Sequence, residues 1–103
     1  MDEFSWFVGL YEGEGTFYSD GRRTIIDIAM CDEDTVARAA KFLDANYKSI
    51  KVQKEHYKPI WRTRKRGGFT RGSSYELINK MLPHLSSRRQ DQIRKVLRTG
   101  PRK

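Results

Sequence analysis

The sequence predicts an α+β fold in the order α-β-β-α-β-β-α-α. Three observations carry this expectation. Four segments place apolar residues at helical spacing, two pairs of segments have strand composition, and Gly, Pro, Asp and Ser punctuate the joins. At 103 residues the chain is expected to form one domain, 1–103.

Residues 3–13 are predicted as the first helix. Phe4, Phe7, Val8, Leu10 and Tyr11 recur at helical spacing, Asp2 can cap the start, and Gly13 and Gly15 end it. Ser19-Asp20-Gly21-Arg22 then signals a hairpin, with Asp20-Gly21 as the two positive-φ residues of a type I′ turn. Strands are expected over 16–19 and 22–30. In the second, Thr24, Ile26, Ile28 and Met30 share one face, and Arg23, Ile25 and Asp27 the other. A second helix follows, capped by Asp32, with acids in its first turn and an apolar stripe of Val36, Ala39, Ala40 and Leu43. Residues 49–57 and 60–66 read as a second strand pair joined at Lys58-Pro59. A loose loop with Gly67, Gly68 and Gly72 comes next. Ser73 or Ser74 caps a third helix, which Pro83 interrupts. Ser86 or Ser87 opens a last helix with Ile93, Val96 and Leu97 apolar, and Gly100-Pro101 closes it. Helices with a four-stranded antiparallel sheet make the α+β class.

The net charge of +8 is unevenly distributed. Residues 1–47 carry 4 Lys/Arg against 10 Asp/Glu, a balance of −6; residues 48–103 carry 17 against 3, a balance of +14. A basic excess of that size points to a polyanionic partner, nucleic acid above all. The single cysteine, Cys31, excludes an internal disulfide and suits a reducing compartment; it is expected to be a small buried residue. No apolar run approaches the ~20 residues that span a bilayer, and the acidic start MDEF lacks the cationic opening of a signal peptide. An intracellular, non-membrane location is therefore expected. His56 and His84, with one cysteine, are too few for a zinc site.

The segment FVGLYEGEG, residues 7–15, ends an apolar stretch in two carboxylates, Glu12 and Glu14, set among three glycines. Gly9 and Gly13 lie four apart on one helix face, and small residues at that spacing let a second helix approach closely. Were the partner the same helix of a second copy, the two Glu14 carboxylates would meet at the base of the contact. Carboxylates that close repel unless neutralised. Mg²⁺ would neutralise them, because it binds one or two carboxylates together with substrate phosphate oxygens and water. At a basic surface such a site points to metal-assisted phosphodiester hydrolysis. Acids at a helix C-terminus oppose the macrodipole at about 0.3–1 kcal/mol each, a placement that a functional demand explains. For Glu12, capping is the competing role.

The run FVGLYEGEGTF resembles the signature of the LAGLIDADG homing endonucleases, with Gly9, Leu10, Glu12, Gly13, Glu14, Gly15, Thr16 and Phe17 in register. The predicted element order and the segment LPHLSSRRQDQI strengthen the likeness, which covers nearly the whole chain. The family carries two signatures per chain or one in a chain that dimerises, and this chain has one. The resemblance therefore implies a homodimeric, site-specific double-strand DNA endonuclease with a saddle-shaped four-stranded sheet. Trp6, Gly9, Leu10 and Gly13 would form the dimer interface. It further implies Glu14 as the catalytic acid and ligand of Mg²⁺, with Mn²⁺ as an expected substitute. Glu12 would organise the helix junction, and Arg88, or its neighbour Arg89, would lie near the scissile phosphate. Two departures stand out. Both acids are Glu where the family more often has Asp. The polar position ending the second strand falls on Met30 or Cys31, and Met30 cannot order water by hydrogen bonding. A non-cleaving DNA-binding protein or an RNA-binding splicing maturase is the alternative implied.

The run Trp61-Arg62-Thr63-Arg64-Lys65-Arg66 alternates. If Trp61 and Thr63 face the helices, Arg62, Arg64 and Arg66 face outward, where they can contact phosphates or bind guanine bidentately. By the same parity Thr16, Tyr18, Arg23, Ile25, Asp27, Lys51, Gln53 and Glu55 complete a DNA-reading face. Acids on that face would suit cytosine N4 donors.

Overall fold

The computed structural model describes residues 2–50 and 59–102. Among them are four α-helices, a 3-10 turn and one four-stranded antiparallel sheet: α1 (Glu3–Glu14), β1 (Gly15–Ser19), β2 (Thr24–Met30), α2 (Glu33–Leu43), β3 (Tyr47–Ile50), β4 (Ile60–Gly67), α3 (Ser73–Met81), the 3-10 turn Leu82–His84, and α4 (Ser87–Thr99). The expected α+β class is what is found. The strand order is β1-β2-β4-β3. Two hairpins thus lie side by side, with α2 crossing from β2 to the far edge so that β2 and β4 pair at the centre.

The helices cover one face of the sheet. Phe7 and Tyr11 of α1, Phe17, Ile26 and Ile28 of the sheet, and Leu43, Ile78, Met81 and Ile93 of the later helices form the core beneath them. Phe7 stacks on Phe42 with ring centroids 4.8 Å apart. The caps follow sequence chemistry: the side chains of Asp2, Asp32 and Ser86 accept hydrogen bonds from the backbone N–H of Ser5, Thr35 and Arg89. Gly100, at φ 69°, ends α4. Lys65 Nζ donates to the Leu43 carbonyl at 2.6 Å, placing a cation at the C-terminus of α2.

Five local expectations are corrected. The β1–β2 connection is not a two-residue type I′ turn, because Gly21 alone has positive φ there. The strand starts at Thr24, and the connection is a four-residue loop, 20–23. The Asp20 carboxylate accepts from the N–H of Arg22 and Arg23, both at 2.9 Å, and Ser19 Oγ accepts from the N–H of Gly21. Neither Ser73 nor Ser74 caps α3, whose N-cap is Gly72 with no side-chain bond. Ser74 is fully buried instead, 2.7 Å from Thr24 Oγ1 and donating to the Thr24 carbonyl, which ties α3 to the sheet. The loop after β4 is held by a 2.7 Å bond from the Gly68 N–H to the Arg71 carbonyl, and Gly67 belongs to the strand. The third strand begins at Tyr47, two residues earlier than expected, and its predicted continuation lies outside the described residues. Cys31 is exposed, not buried, because it leaves the sheet at the β2–α2 turn.

Candidate functional site: the tip of the first helix and the basic sheet face

Helix α1 is apolar on two sides. Phe7 and Tyr11 point into the core, while Trp6, Gly9, Leu10 and Gly13 follow one another at i, i+3, i+4 and i+7, forming a second stripe. Gly9 and Gly13 are exposed, and a Cβ added to either would meet no described atom within 4 Å. Trp6 and Leu10 are half-buried. The Arg38 guanidinium lies over the Trp6 ring at 4.0 Å from its centroid and is anchored by Glu3 at 2.6 Å.

The two acids at the end of α1 have different surroundings. The Glu12 carboxylate accepts from the Ser86 N–H at 2.6 Å and from the Ser86 hydroxyl at 2.9 Å. Those bonds, the backbone one foremost, together with the charges of Arg89 and Arg88, hold its carboxyl below the ordinary value of 4.5. Glu12 thus closes the start of α4. Glu14, the last residue of α1, is exposed and has no hydrogen bond or ion pair among the described residues. Arg88 and Arg89 are likewise separated. Arg89 Nε donates to the Glu12 carbonyl at 3.0 Å and Nη1 to the Gly15 carbonyl at 2.8 Å, satisfying the open end of α1. Arg88 is exposed. Of the pair, Arg88 is the one with a free surface.

Gly15 has an ordinary extended backbone, φ −84° and ψ 158°. Its lack of a side chain serves close packing instead: a Cβ there would run into the Tyr11 ring. The phenol of Tyr11, shut in by the core, is pushed up to about 12.

The face of the sheet away from the helices carries Thr16 and Tyr18 from β1, Ile25 and Asp27 from β2, and Arg62, Arg64 and Arg66 from β4. The register places Thr16, Asp27 and Arg64 in one row and Tyr18, Ile25 and Arg66 in the next. Thr16 and Arg66 are exposed, Ile25 is buried, and Arg23 is exposed on the loop before β2, outside the strand row. Asp27 is nearly covered: Tyr18 donates to its Oδ2 at 3.2 Å, and Arg62 Nε lies 3.3 Å from its Oδ1. Lys51, Gln53 and Glu55 lie outside the described residues. Lys48, which the sequence reading missed, pairs in register with Arg62 and joins the face. The signal for it was its alternation with Tyr47 and Ser49, hidden because the strand was counted from residue 49. A depression of about 370 Å³ opens here between Asn46, Tyr47, Lys48 and the three arginines.

No helix is long and apolar enough to cross a membrane, and no group of three or more potential metal-ligating side chains occurs, among the described residues. Compared with protein-family models and with curated proteins, the chain matches none.

Proposed function

We propose that this chain is one subunit of a homodimeric, Mg²⁺-dependent, site-specific DNA endonuclease of the LAGLIDADG type. The observation that carries the reading is the pairing of two features on one helix: a stripe of exposed Gly9 and Gly13 beside half-buried Trp6 and Leu10, and at its end an exposed Glu14 with no ion pair among the described residues. Two stripes packed on each other would bury Trp6, Leu10 and the glycines and bring two Glu14 carboxylates together. One copy offers a metal too few ligands. Two Glu14 supply the one or two carboxylates that Mg²⁺ takes alongside phosphate oxygens and water, so the donor set fits. When bound, Mg²⁺ or Mn²⁺ would supply Lewis acidity toward the scissile phosphate and a water of lowered pKa.

The chain's own residues do the rest. Glu12, Ser86 and Arg89 hold the end of α1 against α4, fixing the backbone that bears Glu14 and the segment that bears Arg88. Arg88, exposed and charged, stabilises negative charge developing on the phosphate. Arg62, Arg64, Arg66 and Lys48 bind the duplex on the other face of the sheet.

The test is cleavage of supercoiled plasmids carrying a library of randomised inserts, in Mg²⁺, with the cut ends sequenced. Wild-type protein is expected to cut a recurrent site. Glu14→Gln is expected to bind that site and leave it intact; cleavage by Glu14→Gln would refute the assignment. A second reading, a binder of DNA or structured RNA without cleavage, is favoured by Met30. This half-buried residue opposite Trp61 offers no hydrogen bond where the family more often has a polar side chain. Duplex binding with no cutting by the wild type would select it.

A further inference from the structure

We propose that Asp27 contacts no base but holds Arg62 as a guanine reader, so that the chain Tyr18–Asp27–Arg62 sets the sequence preference of the sheet. This rests on the DNA-binding reading above.

The side chain of Asp27 is 9% exposed, against 34% for Arg62. A carboxylate so covered cannot reach a cytosine amine in a groove. Its Oδ2 is occupied by the Tyr18 hydroxyl. Its Oδ1 and Arg62 Nε are closed off from water and face each other at 3.3 Å, and neither has a hydrogen bond among the described residues. Each therefore has the other as its nearest compensating charge, and a small rotation of the guanidinium aligns them into a charge-assisted bond. With Nε engaged by Asp27, Nη1 and Nη2 are left to act as the two-donor fork that pairs with guanine O6 and N7. Fixing the side chain before DNA arrives reduces the rotamer freedom lost on binding. Arg64 and Arg66 have no ion pair among the described residues, and Arg66 is exposed. They suit phosphates, which add affinity without sequence information.

The experiment is selection from a randomised duplex library at fixed salt, with salt-dependent titrations of the enriched sites. Wild type is expected to enrich one guanine at a fixed position in each half-site. Arg62→Lys, which keeps the charge, should weaken that preference about 5- to 150-fold while leaving other positions intact. Asp27→Asn, which keeps the shape, should weaken the same position about tenfold, and Tyr18→Phe in the same direction by less. Arg66→Ala should lower affinity at every site and reduce the salt slope by about 1 without altering the pattern. In the free protein, exchange of the Arg62 Nε proton should be slow in wild type and fast in Asp27→Asn. That measurement needs no DNA, and Arg62→Lys covers the case in which Asp27→Asn does not fold. A guanine preference that survives Arg62→Lys, or one equally strong in folded Asp27→Asn, overturns the proposal while leaving DNA binding in place. A wild type with no sequence preference on duplex DNA overturns the DNA-reading role itself and this proposal with it.

Discussion

Gly13 and Gly15 stand two residues apart, and the molecule uses their missing side chains in opposite ways. A Cβ on Gly13 would meet no described atom within 4 Å, whereas Gly15 lies under the Tyr11 ring. Gly15→Ala would force the ring to move within a packed core, and overpacking of this kind costs about 1–3 kcal/mol. Chemical denaturation at a dilution where subunits are apart should show that loss at Gly15 and none at Gly13. Tyr11 carries a second consequence. Burial raises its phenol from 10.0 to about 12, because the charged phenolate is disfavoured inside the core. Its contribution is fully present below pH 10 and lost as pH rises from there toward about 12. Tyr11→Phe should therefore flatten the alkaline limb of the stability profile, measured by thermal melts in rising pH. The sequence reading set Glu14 as the metal ligand and kept capping as the competing role for Glu12, but it did not name the partner that would hold Glu12. That partner is Ser86, 74 positions from Glu12, whose N–H and hydroxyl claim its carboxylate, while Glu14 has no hydrogen bond among the described residues.

The joint between α1 and α4 is the element-scale device. Glu12 accepts from both donors of Ser86, and Arg89 returns two bonds to the carbonyls of Glu12 and Gly15, so each helix end satisfies the other. Because the folded carboxyl of Glu12 is held below its ordinary value, this stabilisation is present above that value and lost as pH falls through the folded one. Asp2, Glu3 and Asp20 are lowered too, by Ser5, Arg38, and the Arg22 and Arg23 N–H groups, so the acid limb is shared. Glu12→Gln should shrink the acid-sensitive part of the melting midpoint between neutral pH and the carboxylate range without abolishing it. The elements themselves were legible where periodicity and capping agreed, as for α2, whose Asp32 cap and Val36–Leu43 stripe are found in place. They were less legible where tertiary contacts decided. Ser74 has a cap-like position in sequence, yet the buried Thr24 hydroxyl and carbonyl take its side chain. The strand from Tyr47 pairs because Thr63 and Arg62 lie opposite it, a contact no local pattern reveals.

Charge and shape diverge across the whole molecule. The acidic first half supplies α1 with its bare glycines and Glu14; the basic second half supplies the arginines of the sheet. Neither surface accounts for the composition of the other, and a dimer about α1 would relate them. The glycines allow that arrangement to be tested apart from folding. In a lone subunit Gly9 is a cost: it is exposed, mid-helix, and no described atom lies within 4 Å of a Cβ added there. Replacing it with glutamine, a good helix former, should stabilise an isolated subunit by about 0.5–1 kcal/mol. In the proposed dimer the same side chain would stand between two closely packed backbones and force them apart. Gly9→Gln is therefore expected to halve the mass found by sedimentation, at the concentration where wild type is dimeric, while its unfolding free energy at high dilution rises. Loss of both mass and stability would show that Gly9 is needed within the subunit. Retention of the dimer would show that α1 is not where the subunits meet, and the two Glu14 would then have no reason to share a metal.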